Sequence, residues 1–291
     1  MNYNFIKNKW KTWCCLIRIN KPIGLFLLLW PTLWALWLAS MAVPKLKTLV
    51  VFMLGVFFMR AAGCVINDYI DYDIDLFVKR TCNRPLPNQK IKKKEARILL
   101  IFLLGVSFIL ALTLDIKVIA LSVVALILAC VYPFMKRYMY FPQLILGIAF
   151  SCSIPMVFIE VSQSLPLHCW LLFLANVIWT IAYDTQYSII DRDDDMIIGI
   201  KSTAILFGNL DRVIIMLLHL MMLLLLGAVG IYLNLNGIYF LSLASATWLF
   251  IWQQQITNAS KSNASFQAFL KNNFVGMVIF IGIFFGLPLQ R

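Results

Sequence analysis

Residues 67–75 read NDYIDYDID and residues 184–195 read DTQYSIIDRDDD. Together they hold nine of the thirteen acidic residues of a 291-residue chain, leaving Glu95, Asp115, Glu160 and Asp211 elsewhere. Like charges spaced i, i+4 repel, so such crowding asks for a cation. Carboxylate oxygens without histidine or cysteine partners are hard ligands that suit magnesium, which binds through one or two carboxylates and completes its shell with water and phosphate oxygens. Two facing acidic stripes can hold such ions on either side of a diphosphate.

Helical winding tests whether the acids converge. At about 100° per residue, Asn67, Asp68, Asp71 and Asp75 fall within an arc of roughly 100°, and Asp73 points away. In the second stretch Asp184, Asp191 and Asp195 share an arc of roughly 40°, with Asp193 opposite and Asp194 to one side. Bases follow each stripe. KRTCNRPLP at 79–87 supplies Lys79, Arg80 and Arg84 in a segment that Pro85 and Pro87 keep from regular helix. GIKSTAILFG at 199–208 supplies Lys201, Ser202 and Thr203, and Lys136 and Arg137 form a further basic pair. Arg60 lies seven residues before Asn67, on the same face and about 10 Å deeper. Its partner is either an aspartate of the chain or a carboxylate on a second substrate, a role for which Asn20 and Lys21 are further candidates.

The elements that carry these residues are read from composition. The chain is 62% hydrophobic and 13% charged, with a mean hydropathy of +0.86, beyond any ordinary soluble domain. Apolar runs long enough to cross about 30 Å of hydrocarbon recur near 22–43, 48–66, 96–114, 117–134, 142–160, 165–183, 213–233, 237–255 and 273–290. The expectation is an all-α, polytopic membrane protein of nine transmembrane helices. The basic N-terminal segment, residues 1–21, lacks a cleavable signal and is expected in the cytoplasm as part of a single integral-membrane domain over 1–291.

Lysine and arginine placement agrees. With the N-terminus inside, the inner segments hold twenty of these residues, Lys7, Lys261 and Lys271 among them. The outer ones hold four, Lys45, Lys47, Lys117 and Arg291. Both acidic stripes then end spans on the cytoplasmic side, the second and the sixth. The parallel between them suggests two related four-span halves with a ninth span appended.

The net charge of +12 is explained by basic loops flanking spans, so nucleic acid is not expected as a partner. Seven cysteines, at 14, 15, 64, 82, 130, 152 and 169, show no metal or disulfide spacing, and His168 and His219 stand alone. Two rival readings of the acids remain: solvated loop charges at helix ends, and the relay of an ion-coupled transporter, which expects acids near mid-span beside broken helices.

At these motifs the chain resembles the UbiA superfamily of intramembrane aromatic prenyltransferases, whose first motif is NDxxDxxxD and whose second contains DxxxD. Asn67, Asp68, Asp71 and Asp75 match the first, and Asp191 with Asp195 the second. The resemblance extends through RINKPIGLFLLLWPTLWALW, RAAGCVINDY, KRTCNRPLP, VYPFMKRY, YDTQYSIIDRDDDMIIGIKSTAILFG and NNFVGMVIF. It implies a nine-helix bundle around a central cavity with a lateral opening for a lipid tail. It implies magnesium dependence, a polyprenyl diphosphate donor and a 4-hydroxybenzoate acceptor, as in bacterial ubiquinone biosynthesis. It further implies an inner-membrane location, a site opening to the cytoplasm, and association with other enzymes of that pathway.

A menaquinone precursor or haem is the alternative acceptor. In this scheme Asn67, Asp71, Asp75, Asp191 and Asp195 hold magnesium and diphosphate. Asp68 and Asp184 assist, and Arg137, Lys79, Arg84 and Lys201 take diphosphate or substrate anions. Tyr132, Tyr183 and Tyr187 offer π faces to an allylic cation.

Overall fold

The structure is a computed structural model that describes residues 3–257 and 261–288, with side chains described over 9–257 and 263–288. Arg291 lies outside the described residues, as do the side chains of Lys7 and Lys261. In chain order the helices are α1 (Tyr3–Leu16), α2 (Ile23–Ser40), α3 (Leu46–Ile70), α4 (Lys93–Ala111), α5 (Ile116–Tyr138), α6 (Pro142–Ser151), α7 (Ser153–Ser162), α8 (Leu167–Ser188), α9 (Arg192–Ile198), α10 (Thr203–Phe207), α11 (Asp211–Tyr232), α12 (Gly237–Ile256) and α13 (Lys261–Gly286). No strand occurs among the described residues.

Among the described residues, seven stretches are long and apolar enough to cross a membrane: α2, α3, α5, α6 with α7, α8, α10 through α11, and α13 from Asn263. Each expected run overlaps a helix, with three differences from the nine spans expected. The run at 142–160 is two helices broken at Cys152, because Pro155 has no N–H for the Ser151 carbonyl and its ring crowds that turn. The last helix begins at Lys261, well before the apolar run at 273. The helices at 93–111 and 237–256 fall outside the seven, since the first opens on Lys93, Lys94, Glu95 and Arg97 and the second ends in three glutamines.

Packing explains which ends meet. α2 and α8 are the most enclosed helices, joined by a stack of Trp34 on Trp179 at 5.3 Å, with Tyr183 edge-on to Trp179 at 5.4 Å. Around them pack α7, α11, α12 and α13. Gly276 lets α13 close on α2: a Cβ there would fall 2.5 Å from the Trp30 ring, and Trp34 Nε1 donates to the Gly276 carbonyl at 3.0 Å.

A buried polar chain ties α8, α12 and α13 together. Trp179 Nε1 donates to Asn272 Oδ1 at 2.9 Å, Asn272 Nδ2 to Gln186 Oε1 at 2.9 Å, and Gln186 Nε2 to Gln253 Oε1 at 3.1 Å. Away from water such groups must satisfy one another, and doing so fixes the rotation of α8.

A second apolar cluster joins α1, α3 and α4 through Leu16, Ala62, Val65 and Leu99. It includes Leu86 and Ile91 of the 71–92 connection, whose backbone runs through successive turns. That connection is therefore anchored from below, and its arginines are held over the ends of α3 and α8.

Candidate functional site

A cavity of about 1480 Å³ opens between α2, α3, α4, α5, α6 and α8 beneath the 71–85 turns. Its deeper walls are apolar, lined by residues such as Phe52, Phe108, Leu114 and Val118. The polar groups gather at the end where α3 and α8 finish.

α3 stops at Ile70, and Asp71 caps it with its N–H donating to the Asn67 carbonyl. Asp75 N–H bonds back to the Asp71 carbonyl at 2.8 Å, a helical turn without a helix, and so both side chains stay on the cavity wall beside Asn67. α8 ends at Ser188; a turn through Ile189–Asp191 leads into α9, where Asp195 N–H bonds to the Asp191 carbonyl at 2.8 Å. Asp184, Asp191 and Asp195 all line the cavity. The two motifs thus share one chamber.

The chain's own bases thread between them. Lys136 pairs with Asp71, and Arg84 Nη1 reaches Asp75 at 2.6 Å and Asp68 at 3.1 Å. Arg80 meets Asp191 through Nε at 2.9 Å and also through Nη2. It bonds the Tyr187 hydroxyl and lies 4.4 Å over its ring. Burial works against the Arg80 charge, but Tyr187 and Asp191 outweigh it and raise its pKa.

Asp68 is turned away from the cavity, 1% exposed, and receives Arg18 at 2.7 Å as well as Arg84. Arg18 adopts φ 57°, in the left-handed region that non-glycine residues seldom occupy. Burial opposes its charge too, and Asp68 more than restores it, raising the pKa.

Other expected residues fall as follows. Arg60, Lys21, Tyr187 and Lys201 line the cavity. Lys201 Nζ donates to the Tyr138 carbonyl at 3.1 Å. Arg60 makes no ion pair among the described residues, and Gly24 leaves room for it, since a Cβ there would overlap its guanidinium. Arg137 stays outside the cavity, capping α3 through the Ile70 carbonyl at 3.0 Å, while its neighbour Lys136 faces in. Lys79 is outside as well, its side chain 91% exposed and 3.8 Å from Asp194, while its neighbour Arg80 faces in. Arg18, Arg80 and Lys136 complete the basic set. The two Lys-Arg pairs were its visible sign.

The acid oxygens fit a hard divalent cation. Asp71 Oδ1 is buried without a hydrogen-bond partner. Burial raises the Asp71 pKa despite Lys136. Burial and then the neighbouring Asp191 push Asp195 up to about 7, against Lys136 and Arg80. Among the described residues no three such side chains enclose an ion by themselves. That suits magnesium, which completes its shell with phosphate and water.

A sign follows for pH. Asp195 binds a proton below about pH 7, and a cation must displace it. Magnesium affinity, measured by isothermal titration in the presence of diphosphate, is expected to weaken by up to about tenfold per unit below pH 7 and to level off above. A flat profile between pH 6 and 8 would contradict that assignment.

The sequence profile of the UbiA prenyltransferase family matches residues 28–284. A 4-hydroxybenzoate octaprenyltransferase of Sodalis glossinidius is 62% identical over 287 residues, covering 99% of both chains. One of Yersinia pestis is 57% identical over 283 residues, covering 97% of this chain and 98% of its own. Among solved structures, the apo form of a UbiA homolog from Aeropyrum pernix K1 superposes with TM-score 0.78 at 27% identity, over 89% of this chain and 96% of that one. A UbiA homolog from Archaeoglobus fulgidus bound to GPP and Mg2+ gives TM-score 0.72 at 19% identity, over 95% and 99%, a likeness of fold.

Proposed function

Since the chain belongs to the UbiA prenyltransferase family, we propose that it transfers a polyprenyl group from polyprenyl diphosphate to the ring carbon ortho to the hydroxyl of 4-hydroxybenzoate, releasing diphosphate, in ubiquinone biosynthesis. The observation that carries this reading is one chamber in which both acid motifs and their bases crown an apolar cavity, in a chain 62% identical, end to end, to a 4-hydroxybenzoate octaprenyltransferase.

The protein is a multi-pass membrane enzyme. In our reading α4 and α12, of 19 and 20 residues, complete nine spans. Residues 1–291 form one integral-membrane domain in the bacterial inner membrane, with the basic segment 1–21 and the chamber mouth on the cytoplasmic side. There it meets other enzymes of the pathway.

Asn67, Asp71, Asp75, Asp191 and Asp195 are the residues assigned to magnesium, the ion reported with GPP in the Archaeoglobus homolog. When bound, magnesium supplies positive charge to the departing diphosphate oxygens. Arg80, Arg84 and Lys136, paired with those acids, are placed to turn one or more donors toward the same oxygens, with Lys21 and Lys201 at the mouth. Charge grows on the diphosphate as the allylic carbon–oxygen bond breaks, so these contacts strengthen in the transition state. The apolar walls receive the isoprenoid and keep water from the allylic cation. Tyr132, Tyr183 and Tyr187 present rings to it.

Arg60 is assigned to the acceptor carboxylate. Gly24→Val pushes a side chain into its guanidinium. The expected result is a KM for 4-hydroxybenzoate raised about tenfold or more with donor KM unchanged, because one charge-assisted hydrogen bond is displaced. An unchanged acceptor KM would remove Arg60 from this role.

The test of the function is mass spectrometry of products formed by purified protein from 4-hydroxybenzoate, magnesium and prenyl diphosphates of several lengths. A 3-prenyl-4-hydroxybenzoate is expected. Its absence, with product from a menaquinone precursor or haem instead, would reassign the acceptor.

A further inference from the structure

One cavity carboxylate, expected from the sequence to assist the diphosphate acids, stands apart from the bases that pair with them. Asp184 lies on α8 seven residues before Asp191, about two turns farther into the membrane. It is half-buried on the cavity wall and makes no ion pair among the described residues, whereas Asp71, Asp75 and Asp191 each have one.

Its surroundings are built. Gln143 is held by donating from Nε2 to Ser188 Oγ at 2.9 Å and accepting at Oε1 from the Thr203 N–H at 3.2 Å, and the same amide faces the Asp184 carboxylate. Tyr183 is fixed by donating its hydroxyl to Thr180 at 3.1 Å. Across the chamber Arg60 stands about two turns below Asn67 on α3, and Asp184 about one turn before α8 ends at Ser188. The two share the cavity closely enough for their charges to interact, and neither is engaged with the other in an ion pair.

This lower tier offers a cation on one wall and a carboxylate on another, which is the complement of a ring bearing a carboxylate and, para to it, a hydroxyl. Resting on the function proposed above, we propose that Asp184 receives the acceptor's hydroxyl as a hydrogen bond and takes its proton as the ring is alkylated. The ortho carbon forms its bond to the allylic carbon as the carbon–oxygen bond to diphosphate breaks, and that electron pair leaves with the diphosphate. Attack by a neutral phenol places positive charge on the hydroxyl oxygen; transfer of the O–H proton to Asp184 Oδ converts the adduct to a neutral dienone. The dienone loses its ring proton to the released diphosphate, and the phenolate so formed regains the proton from Asp184. The carboxylate is restored, and the net products are the alkylated phenol, diphosphate and one proton. General-base assistance of this kind contributes about 10²–10⁴-fold.

The experiment compares wild type and Asp184→Asn, full length in nanodiscs, on 4-hydroxybenzoate and 4-methoxybenzoate with geranyl diphosphate and magnesium. Wild type is expected to lose about a hundredfold in kcat on the methoxy compound, which has no proton to give. Asp184→Asn is expected to lose as much on 4-hydroxybenzoate and nothing further on 4-methoxybenzoate. A parallel arm measures binding of 4-hydroxybenzoate and benzoate without donor or metal. Wild type is expected to favour the hydroxyl about tenfold or more, a preference that Asp184→Ala abolishes.

Turnover by Asp184→Asn within threefold of wild type overturns the role. So does a loss accompanied by weakened magnesium-dependent binding of geranyl thiolodiphosphate, or an unchanged hydroxyl preference in Asp184→Ala. Wild type that makes no product from 4-hydroxybenzoate overturns the proposed function itself, and this role with it.

Discussion

Asp71→Ala is expected to lower turnover by about 10³-fold or more while the protein remains inserted, and Asp191→Ala to do the same. Asp71 is 1% exposed, faces Lys136 through one oxygen and holds the other without a partner. On the proposed assignment, removing the side chain deletes a cation ligand, and it leaves the Lys136 charge uncompensated. Asp191 holds Arg80, so its loss frees that guanidinium from the opposite wall. Each change thus strips metal and alignment together. Steady-state kinetics with geranyl diphosphate at saturating magnesium measures the effect, and retained turnover in both variants would remove the acids from the reaction.

Arg80→Ala is expected to cost about a hundredfold in kcat/KM for the prenyl diphosphate, with acceptor KM unchanged. Among the described residues the guanidinium is the one group bonded to both Asp191 and the Tyr187 hydroxyl, and it lies over the Tyr187 ring, at the seam between the 71–85 turns and α8. Arg80→Lys keeps the charge without the planar fork and is expected to recover only part of the loss. Lys79→Ala, one residue away but on the solvent side with Asp194, is expected to stay within about threefold. Equal effects at 79 and 80 would mean that net charge, and not placement, is what the loop supplies.

The Lys-Arg pairs also mark how far a sequence reaches. That bases belong near the acids follows from charge alone, and one member of each pair, Arg80 and Lys136, lines the cavity while Lys79 and Arg137 do not. Which member faces the cavity does not follow, because neighbours on a turn point about 100° apart and the register is set by tertiary packing. Lys136 faces in because α5 ends there with Arg137 capping α3. Arg80 faces in because Leu86 and Ile91 bury the connection behind it.

Asp68 shows the same limit. Winding places it with Asn67 and Asp71, yet a side chain near the edge of a roughly 100° arc can be drawn behind the wall, and Arg18 and Arg84 draw it there. Arg18, fifty residues away in sequence, carries no local signal for that contact.

Seven of the nine expected spans were legible from apolar run length. The break at Cys152 was signalled by Pro155, whereas the long start of α13 was hidden in polar residues such as Asn272, which are buried against α8. Winding also ran α8 straight through to Asp195. The helix stops at Ser188, and Asp195 still reaches the cavity because the turn at Ile189–Asp191 and the start of α9 keep nearly helical bonding.

On the proposed function, the end of α3 and the end of α8 grip one diphosphate jointly through bound cation. A double-mutant cycle on magnesium-dependent binding of geranyl thiolodiphosphate, with Asp71→Asn, Asp191→Asn and the pair, measures it most directly. Either single change is expected to weaken binding by about a hundredfold or more and the second to add little, because the shared site is already lost. Losses that simply multiply, or a single variant that binds as wild type does, would show that the two motifs do not act on the same ligand.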